Sequence, residues 1–467
     1  MSGRVVIVGG GVAGLATAYR LLYAEGTPAE VVVLEAEAAP GGKVRSVRVG
    51  ELELEAGPDS LLGRKPAGVE LSRELGLGQD LVPPGTGVTY IWSDSGLLRF
   101  PSGPFGISTD LRELWGWPGM SRRGKLRAAV DLARRPRKEQ ADESLGSLIR
   151  RRLGDEATEA LVAPLLGGLF AGDIDGLSVE ATFPELASWE RLHGSLIRGS
   201  RAATRSARER ATAPMFLRLK GGLGRLTAGL ADAIGPERIR CGANVEGFRA
   251  SADGYLVSTG DREYPADIVV FASPAFVTAD LVEPLVPDAA RELRRIRYVS
   301  TAVVLLVYPD GTGSALPDAS GFVVPKGKLA MTACTLVSRK WPERSFGDRA
   351  VVRCFVGADG VEDIVDRPDE EIVDGVSRQL AALLPLPAGP EAARIVRWPR
   401  SMPQYELGHL ARVAAIERAM PPGTFVVGHA YRGAGISDCV RQANDVAERI
   451  RASTAAGGRD GGAERPD

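Results

Sequence analysis

A glycine pattern near the start of the chain constrains the fold more than any other feature. Gly9, Gly11 and Gly14 form a GxGxxG sequence directly after the apolar run Val5–Val8, and a helix-like stretch follows. The first glycine allows a tight turn, the second lets phosphates approach the backbone, and the third lets the helix pack on the strand. Val31–Leu34 is a second apolar run of the kind that is buried on both faces. The pattern predicts a βαβ unit that binds a dinucleotide.

A carboxylate completes this unit. Glu35 ends the second predicted strand, 21 residues beyond Gly14, where its oxygens can accept hydrogen bonds from ribose hydroxyls. The helix N-terminus offers unpaired N–H groups and a positive dipole end to the phosphates. The candidate cofactor-binding residues here are Gly9, Gly10, Gly11, Val12, Ala13, Gly14, Glu35 and Ala36.

Two later segments predict that the same sheet continues far along the chain. Ala266–Ala272 and Thr424–Gly428 have the apolar content of buried parallel strands. We therefore predict an α/β protein with a discontinuous Rossmann-like domain, a mixed-sheet substrate domain and an inserted, mostly helical domain.

The predicted boundaries follow composition. The β-branched runs 298–307 and 350–356 favour a separate sheet, and helices are predicted at about 121–135, 144–152 and 155–166. The predicted division is 1–85, 214–281 and 401–452 for the cofactor domain, 86–213 for the helical insertion, 282–400 for the substrate sheet, and 453–467 for a disordered tail.

Composition excludes several function classes. The formal net charge of -1 gives no overall attraction to nucleic acid. The four cysteines form no CxxC pair and there are three histidines, so we expect no metal site and a reducing, cytoplasmic compartment. No window of 18 uninterrupted apolar residues predicts a membrane span, and contact with a membrane surface stays open.

The next two motifs identify the dinucleotide. Gly41-Gly42-Lys43 resembles the second glycine motif of amine-oxidase-like flavoproteins, in which it lies against the FAD pyrophosphate. Gly57-Pro58-Asp59-Ser60 resembles the segment that passes the isoalloxazine ring in the same superfamily. The resemblance implies FAD as the cofactor and adds Gly42, Lys43, Gly57, Pro58, Asp59 and Ser60 to its binding residues.

Further segments narrow the resemblance to one family. Residues 170–175 (FAGDID), 402–405 (MPQY) and 435–440 (GISDCV), together with Gly57–Ser60, resemble the protoporphyrinogen/coproporphyrinogen oxidase family over residues 4–450. By that resemblance, Val245 meets the adenine and Trp398 lies near the flavin. The helix start at Gly435, Ile436, Ser437 and Asp438 faces the pyrimidine edge of the flavin.

The resemblance implies oxidation of a porphyrinogen to a porphyrin. Six electrons leave the macrocycle in three two-electron steps, and O2 reoxidises FAD with release of H2O2. No general base is required, so no catalytic residue is assigned. By chemistry alone the candidates are Tyr405 and His409, and a structural role is favoured for His409.

The pattern is closer to the coproporphyrinogen III oxidases of Gram-positive bacteria than to membrane-bound protoporphyrinogen oxidases. Coproporphyrinogen III carries four propionates and protoporphyrinogen IX two, so a basic cavity favours the former. Arg64 and Lys65 are the candidate propionate partners. The basic stretches 121–138 and 191–210 are either solvated faces or membrane contacts. Transfer of the product to a ferrochelatase is a further implication.

Two other readings remain open. One is an oxidase or desaturase of the same superfamily that acts on an amine or a polyene. The other is a binding or escort protein that keeps the dinucleotide fold without flavin.

Overall fold

A computed structural model describes residues 3–23, 30–137, 141–209 and 214–457. The strands are β1 (Arg4–Val8), β2 (Glu30–Glu35), β3 (Ser46–Val49), β4 (Leu52–Glu55), β5 (Leu61–Leu62), β6 (Leu81–Val82), β7 (Thr89–Ser93), β8 (Gly96–Arg99), β9 (Phe216–Leu219), β10 (Ile239–Cys241), β11 (Val245–Ser251), β12 (Gly254–Thr259), β13 (Glu263–Ala266), β14 (Ile268–Phe271), β15 (Tyr298–Val307), β16 (Gly321–Val323), β17 (Met331–Leu336), β18 (Val351–Val356), β19 (Ala392–Pro403) and β20 (Thr424–Val426). The α-helices are α1 (Val12–Leu22), α2 (Pro66–Glu74), α3 (Leu111–Gly116), α4 (Arg122–Ala129), α5 (Leu145–Leu153), α6 (Asp155–Ala157), α7 (Gly168–Phe170), α8 (Val179–Thr182), α9 (Pro184–His193), α10 (Leu196–Glu209), α11 (Gly224–Ile234), α12 (Ala275–Val282), α13 (Pro287–Arg294), α14 (Val337–Lys340), α15 (Asp369–Leu383), α16 (His409–Ala419) and α17 (Ile436–Gly457).

The predicted discontinuous sheet is confirmed. Five parallel strands lie in the order β10-β2-β1-β14-β20, with Val5 opposite Val31 on one side and Ile268 on the other. Strands separated by hundreds of residues meet in this sheet. Each is apolar on both faces, so each is stable only inside a sheet that other elements cover on both sides.

Two cores cover this sheet. Alternate residues such as Ile7, Val33 and Val270 pack against α1, α2, α11 and α17. Residues of opposite parity, such as Val8 and Phe271, pack against the β11–β13 sheet and helices α12, α13 and α16. Each fully buried aliphatic side chain contributes about 1.5–3 kcal/mol, so the two faces together hold the C-terminal strand ends in place.

The second sheet is mixed, as predicted. Its order is β19-β15-β18-β17-β16-β7-β8, and all neighbours are antiparallel except β16 and β7. Two boundaries predicted for it differ from the structure. Residues 89–99, predicted in the helical insertion, form a hairpin of this sheet because Tyr90 and Trp92 pack into its core while Ile91 packs into the helical core. The long strand β19 also runs past residue 400 to Pro403.

The helical insertion has its own core, formed by α3–α10 and their connections. The predicted helices correspond to α4, α5, and α6 with a following π-helical segment over Thr158–Gly167. A buried ion pair fastens the insertion: Arg152 Nε lies 2.5 Å from Asp131 Oδ1, and both side chains are fully buried. The Asp131 carboxylate also accepts hydrogen bonds from Ser195 Oγ and Ile197 N.

The prediction of disorder from residue 453 is wrong for its first five residues, because α17 continues to Gly457. The segment 453–457 (STAAG) contains no proline, and Ser453 Oγ donates to the carbonyl oxygen of Ile450. Residues 458–467 lie outside the described residues. Within the described ranges, we find no helix that is long and apolar enough to cross a membrane.

Candidate functional site

The first glycine turn is crowded at Gly14 and open at Gly11. Gly9 has φ +108°, and its N–H donates to Leu34 O at 2.8 Å. A Cβ on Gly14 would lie 2.0 Å from Gly9 O, so no side chain fits where α1 packs on the turn. A Cβ on Gly11 would meet no atom within 4 Å. The space above Gly11, at the N-terminus of α1, is where a pyrophosphate is expected.

Glu35 is buried beside this turn. Its Oε2 accepts the Gly10 N–H at 2.7 Å and its Oε1 accepts the Glu37 N–H at 2.8 Å. Since a carboxylate oxygen can accept more than one hydrogen bond, both oxygens keep capacity for ribose hydroxyls. Ala243 N donates to Glu35 O at 2.8 Å, which brings the predicted adenine neighbour Val245 to the same edge of the sheet.

The two glycine motifs touch through their backbones. Gly41 N donates to Gly10 O at 2.8 Å, and a Cβ on Gly42 would lie 3.2 Å from Gly11 Cα. Gly42 also has φ +58°, in the left-handed region that favours glycine. The sequence-distant motifs thus form one backbone surface, half-buried at Gly11 and Gly42, of the kind that binding of a pyrophosphate requires.

Lys43 connects this surface to two distant segments. Its ammonium lies 2.8 Å from Ser401 O at the end of β19, and 2.7 Å from His429 Nε2 in the loop after β20. Burial lowers the pKa of Lys43 to about 8. Burial and the Lys43 charge lower the pKa of His429 to about 3, so the imidazole is neutral. Its Nε2 also lies 3.1 Å from Ser401 O. The sequence analysis assigns no role to His429, although it belongs to the strand-to-helix segment that precedes α17.

The predicted flavin-facing segment, Gly57–Ser60, contacts side chains from β18 and from the end of α14. A Cβ on Gly57 would lie 1.8 Å from Lys43 O, which excludes any side chain. Asp59 Oδ2 accepts from Trp341 Nε1 and Lys340 Nζ, each at 3.0 Å, and lies 3.1 Å from Arg353 Nη2.

These partners decide the charge of Asp59. Burial alone would raise the pKa of this carboxyl, but Arg353, Lys340 and the Trp341 hydrogen bond hold it well below its usual range. The sequence analysis did not identify Arg353, Lys340 or Trp341. One signal was present: Arg353 is a charged residue in the middle of the otherwise apolar strand β18.

Trp398 reaches the same segment from the edge strand β19. Its Nε1 donates to Ala56 O at 2.9 Å, next to Gly57. The structure therefore places Trp398 beside Gly57–Ser60, although the two are more than 300 residues apart in sequence.

The C-terminal loop ends at a helix N-terminus, as predicted. Gly433 has φ +114°, and α17 begins at Ile436. Asp438 pairs with Lys65, whose Nζ lies 2.7 Å from Oδ2. Ser437 Oγ is buried and has no hydrogen-bond partner among the described residues. An unpaired buried hydroxyl at a helix N-terminus fits a site that a ligand completes.

Tyr405 and His409 brace this loop. The Tyr405 hydroxyl donates to His429 O at 2.6 Å and accepts the Gly433 N–H at 3.0 Å. His409 stacks on the Tyr405 ring at 4.0 Å, and its Nε2 lies 2.8 Å from Tyr431 O. Burial lowers the pKa of His409 to about 4. This fully buried histidine therefore has the geometry of a structural residue.

The two family-specific segments meet in space. Gln404 Nε2 donates to Phe170 O at 3.0 Å, and Ser178 N donates to Tyr405 O at 2.7 Å. A Cβ on Gly172 would lie 2.3 Å from Gln404 Oε1. Residues 170–178 of the helical insertion are thus joined to residues 404–405, which also support the C-terminal loop.

The candidate propionate partners lie between the cofactor domain and the insertion. Lys65 pairs with Asp438, and Arg64 lies 3.6 Å from Glu185 Oε1 and over the Phe105 ring at 4.9 Å. Their side chains are 44% and 39% exposed for Arg64 and Lys65, so both can reach a bound molecule. They stay predictions.

Part of the basic stretch 121–138 has a structural explanation. Arg127 donates to the carbonyl oxygens of Arg150, Arg151 and Arg152, and so caps the C-terminal turn of α5. Arg122 and Arg123 are exposed. No group of three His, Cys, Asp or Glu that could hold a metal occurs within the described ranges.

Comparison with known proteins agrees with this geometry. Residues 12–451 match the family model described as flavin containing amine oxidoreductase. The chain is 34% identical to coproporphyrinogen III oxidase of Bacillus subtilis (94% of this chain, 96% of that one). It is 32% identical to the Staphylococcus aureus protein of the same name (96% and 99%). It is 30% identical to the chloroplastic protoporphyrinogen oxidase of Oryza sativa (96% and 88%).

Solved structures show the same relationship. A crystal structure from Exiguobacterium sp. 255-15 has a TM-score of 0.86 at 32% identity and covers 97% of this chain and 99% of its own. A putrescine oxidase has a TM-score of 0.72 at 18% identity, with 97% and 99% covered, and shares the fold. The FAD that the glycine motifs predict is confirmed by the family match, and the open backbone at Gly11 and the unpaired Ser437 hydroxyl fit it. The chain is an oxidoreductase that belongs to the flavin containing amine oxidoreductases and, within them, to the protoporphyrinogen/coproporphyrinogen oxidase family.

Proposed function

We propose that this protein oxidises coproporphyrinogen III to coproporphyrin III in haem biosynthesis. The macrocycle gives up six electrons and six protons in three two-electron steps, and three O2 are reduced to three H2O2. Bound FAD supplies the redox chemistry, and the chain orients the substrate and shields the site. Relatives at 34% and 32% identity that carry this activity in their names support the proposal.

One structural observation carries the proposal beyond family membership. Gln404 and Tyr405 join the 170–178 segment of the insertion to the loop at Gly433. Both partners of this junction belong to motifs that distinguish the porphyrinogen oxidases from other flavin oxidases. The helical insertion is thereby fixed next to the proposed flavin position, where it can form one wall of a cavity for a macrocycle.

We further propose the cofactor contacts that follow from the geometry. The backbone at Gly9, Gly10, Gly11, Val12, Ala13, Gly14, Gly42 and Lys43 holds the pyrophosphate, and Glu35, Ala36 and Val245 hold the adenosine. Gly57, Pro58, Asp59, Ser60 and Trp398 lie along the flavin, and Gly435, Ile436, Ser437 and Asp438 face its pyrimidine edge. The domain boundaries predicted above, corrected for β7, β8 and β19, are part of this proposal.

For the substrate carboxylates we propose Arg64 and Lys65. Each already has a protein carboxylate partner, yet Arg64 lies 3.6 Å from Glu185, a distance too long for a hydrogen bond. Lys65 bonds both Asp438 oxygens, and its side chain is 39% exposed. A propionate can therefore bind Arg64 without displacing a hydrogen bond to Glu185. The Lys65 ammonium has a third N–H donor besides the two that bond Asp438.

The deciding experiment is an anaerobic titration of the purified protein with each porphyrinogen, followed by admission of air. Bleaching of the flavin bands and growth of porphyrin fluorescence with coproporphyrinogen III are expected. Turnover of protoporphyrinogen IX alone would overturn the substrate assignment. H2O2 release with amines but with neither porphyrinogen would favour the amine-oxidase reading. A colourless protein that cannot be reconstituted with FAD would favour the escort reading.

Partners and location are also proposals. Exposed Trp115, Leu126 and Val130 accompany the exposed Arg122 and Arg123 on the insertion, which supports peripheral contact with an anionic membrane. We propose a cytoplasmic location and transfer of product to a ferrochelatase, with no nucleic-acid partner. Vesicle sedimentation with and without anionic lipid tests the membrane contact, and binding to neutral vesicles alone would contradict it.

A further inference from the structure

A group of buried charges lies beneath the flavin-facing segment. Arg353 and Asp59 have side chains only 6% and 10% exposed, and Lys340 is 13% exposed. Arg353 Nη2 lies 3.1 Å from Asp59 Oδ2, and Nη1 donates to Gly57 O at 2.9 Å. One side chain thus holds the segment at two points, a backbone carbonyl and a carboxylate.

The position of Arg353 in its strand is unusual. Val352 and Cys354 pack into the core on the far face of the sheet, while Val351 packs against the β3–β4 hairpin on the near face. Because side chains alternate along a strand, Arg353 shares the near face with Val351. An apolar residue there would avoid the cost of burying a guanidinium.

Several other charged side chains surround Asp59. Asp59 faces two cations, Arg353 and Lys340, and Arg353 Nε has no hydrogen-bond partner among the described residues. A third buried cation, Arg218, lies 2.7 Å from Glu343. The nearby Glu55 accepts the Leu223 N–H at 2.6 Å. Asp59 itself thus contacts two cations, while Glu55 and Glu343 place two further carboxylates around them.

We propose that Arg353 is a positioning residue for the proposed reaction: it holds Gly57–Ser60 in contact with the flavin and provides positive charge that stabilises the reduced cofactor. The inference rests on the proposed function, because it places the isoalloxazine ring against this segment. Reduction of FAD adds electron density to the ring system, so a fixed cation beside it raises the flavin midpoint potential. Asp59 opposes this effect and orients the guanidinium.

The test compares three variants of the FAD-loaded protein with a matched control. Arg353→Gln removes charge and both contacts, Arg353→Lys keeps the charge, and Asp59→Asn removes the opposing carboxylate. The control is Arg152→Gln, which breaks the buried Arg152–Asp131 pair in the helical insertion. The readouts are the flavin midpoint potential from dye equilibration, the visible spectrum, and the dissociation constant for FAD.

The expected changes have opposite signs. Arg353→Gln shifts the potential to a more negative value and weakens FAD binding about tenfold. Arg353→Lys restores the potential but not the affinity, since one ammonium cannot span Gly57 O and Asp59. Asp59→Asn shifts the potential to a more positive value, and Arg152→Gln lowers thermal stability without moving the potential.

A potential unchanged from wild type in Arg353→Gln, or equal shifts in Arg152→Gln, would overturn the inference. If Arg353→Gln does not fold, two results decide: a positive shift of the potential in Asp59→Asn, and weaker FAD binding at an unshifted potential in Arg353→Lys. A wild-type protein that binds no FAD or leaves both porphyrinogens unoxidised would instead refute the proposed function. A wild-type protein that oxidises porphyrinogen while Arg353→Gln keeps the wild-type potential would refute only this inference.

Discussion

The two large sheets of this protein present different chemistry to the proposed cofactor site. The parallel sheet presents backbone: past its strand ends lie Gly9, Gly11 and Gly42, and the chemistry there is that of N–H groups and open space. The mixed sheet presents side-chain charge, because Arg353 rises from the middle of β18 to Asp59. Substitutions on the parallel side are therefore expected to act through sterics and hydrogen bonds, whereas those beneath Gly57–Ser60 are expected to act through electrostatics.

The largest effect is expected at the crowded end of the glycine turn. Gly14→Ala places a Cβ 2.0 Å from Gly9 O, so the helix must move off the strand, and the free energy of unfolding should fall by more than about 3 kcal/mol. Gly375→Ala in α15 is the control, since its Cβ would meet no atom within 4 Å. It should be neutral or stabilise by about 0.5–1 kcal/mol. Equal losses in urea denaturation would contradict the steric account.

The pH dependence of the free energy of unfolding tests the burial of His409 behind the C-terminal loop. The pKa of His409 is lowered from 6.5 to about 4 by burial, so below pH 6.5 the unfolded chain binds a proton that the folded chain does not. Stability therefore falls as the pH drops from 6.5 towards 4, by about 3 kcal/mol from this group.

His409→Gln should reduce this pH slope. His429, whose pKa is about 3, contributes a similar loss that remains in the variant. Denaturation midpoints measured at pH 7, 5.5 and 4.5 give the slopes. Parallel curves for variant and wild type would show that folding does not lower the pKa of His409.

Gly11→Ala, at the parallel sheet, is expected to weaken FAD binding without lowering the stability of the protein. The new methyl group enters the open space above α1 and meets no protein atom within 4 Å. We expect an unchanged melting temperature of the FAD-free protein and about tenfold weaker FAD binding, because the methyl group occupies the approach to the pyrophosphate. Fluorescence titration with FAD measures the affinity. Normal affinity would place the pyrophosphate elsewhere.

The smallest effect is expected from Tyr405→Phe. The variant loses the hydroxyl bonds to His429 O and Gly433 N, at a cost of about 1–2 kcal/mol. Tyr90→Phe in β7 is the control, because its hydroxyl makes no hydrogen bond within the described ranges. Increased hydrogen exchange at residues 428–435 in Tyr405→Phe, with none in the control, would confirm that Tyr405 holds the loop. The same exchange in both variants would contradict it.

Much of the parallel half could be predicted because its signals are local. Val5–Val8, the three glycines and Glu35 lie within about 30 residues of one another. Each glycine is needed because a side chain at its position would obstruct the turn, the helix packing or the phosphates. The strands at 268–271 and 424–426 were predictable because a strand buried on both faces is apolar throughout. The C-terminal helix was predicted to begin at Gly435–Asp438, and it does.

The errors occurred where tertiary packing overrode local patterns. Composition assigns residues 89–99 to the insertion, yet strand pairing between β7 and β16 puts them in the mixed sheet. The tail prediction failed at 453–457 because α17 extends by one more turn. Neither the sheet membership of residues 89–99 nor the end of α17 could be predicted from the local sequence. Both depend on contacts with residues elsewhere in the chain.

The amino-acid sequence by itself determined the dinucleotide unit, the FAD motifs and the family, because these depend on short runs whose residue types admit few alternatives. Only the tertiary structure decided which charges meet: Asp59 with Arg353 and Lys340, Asp438 with Lys65, and Lys43 with His429. The physical reason is that a buried charge must find its partner through the fold. That partner can lie hundreds of residues away, on a strand whose own pattern says only that it is buried.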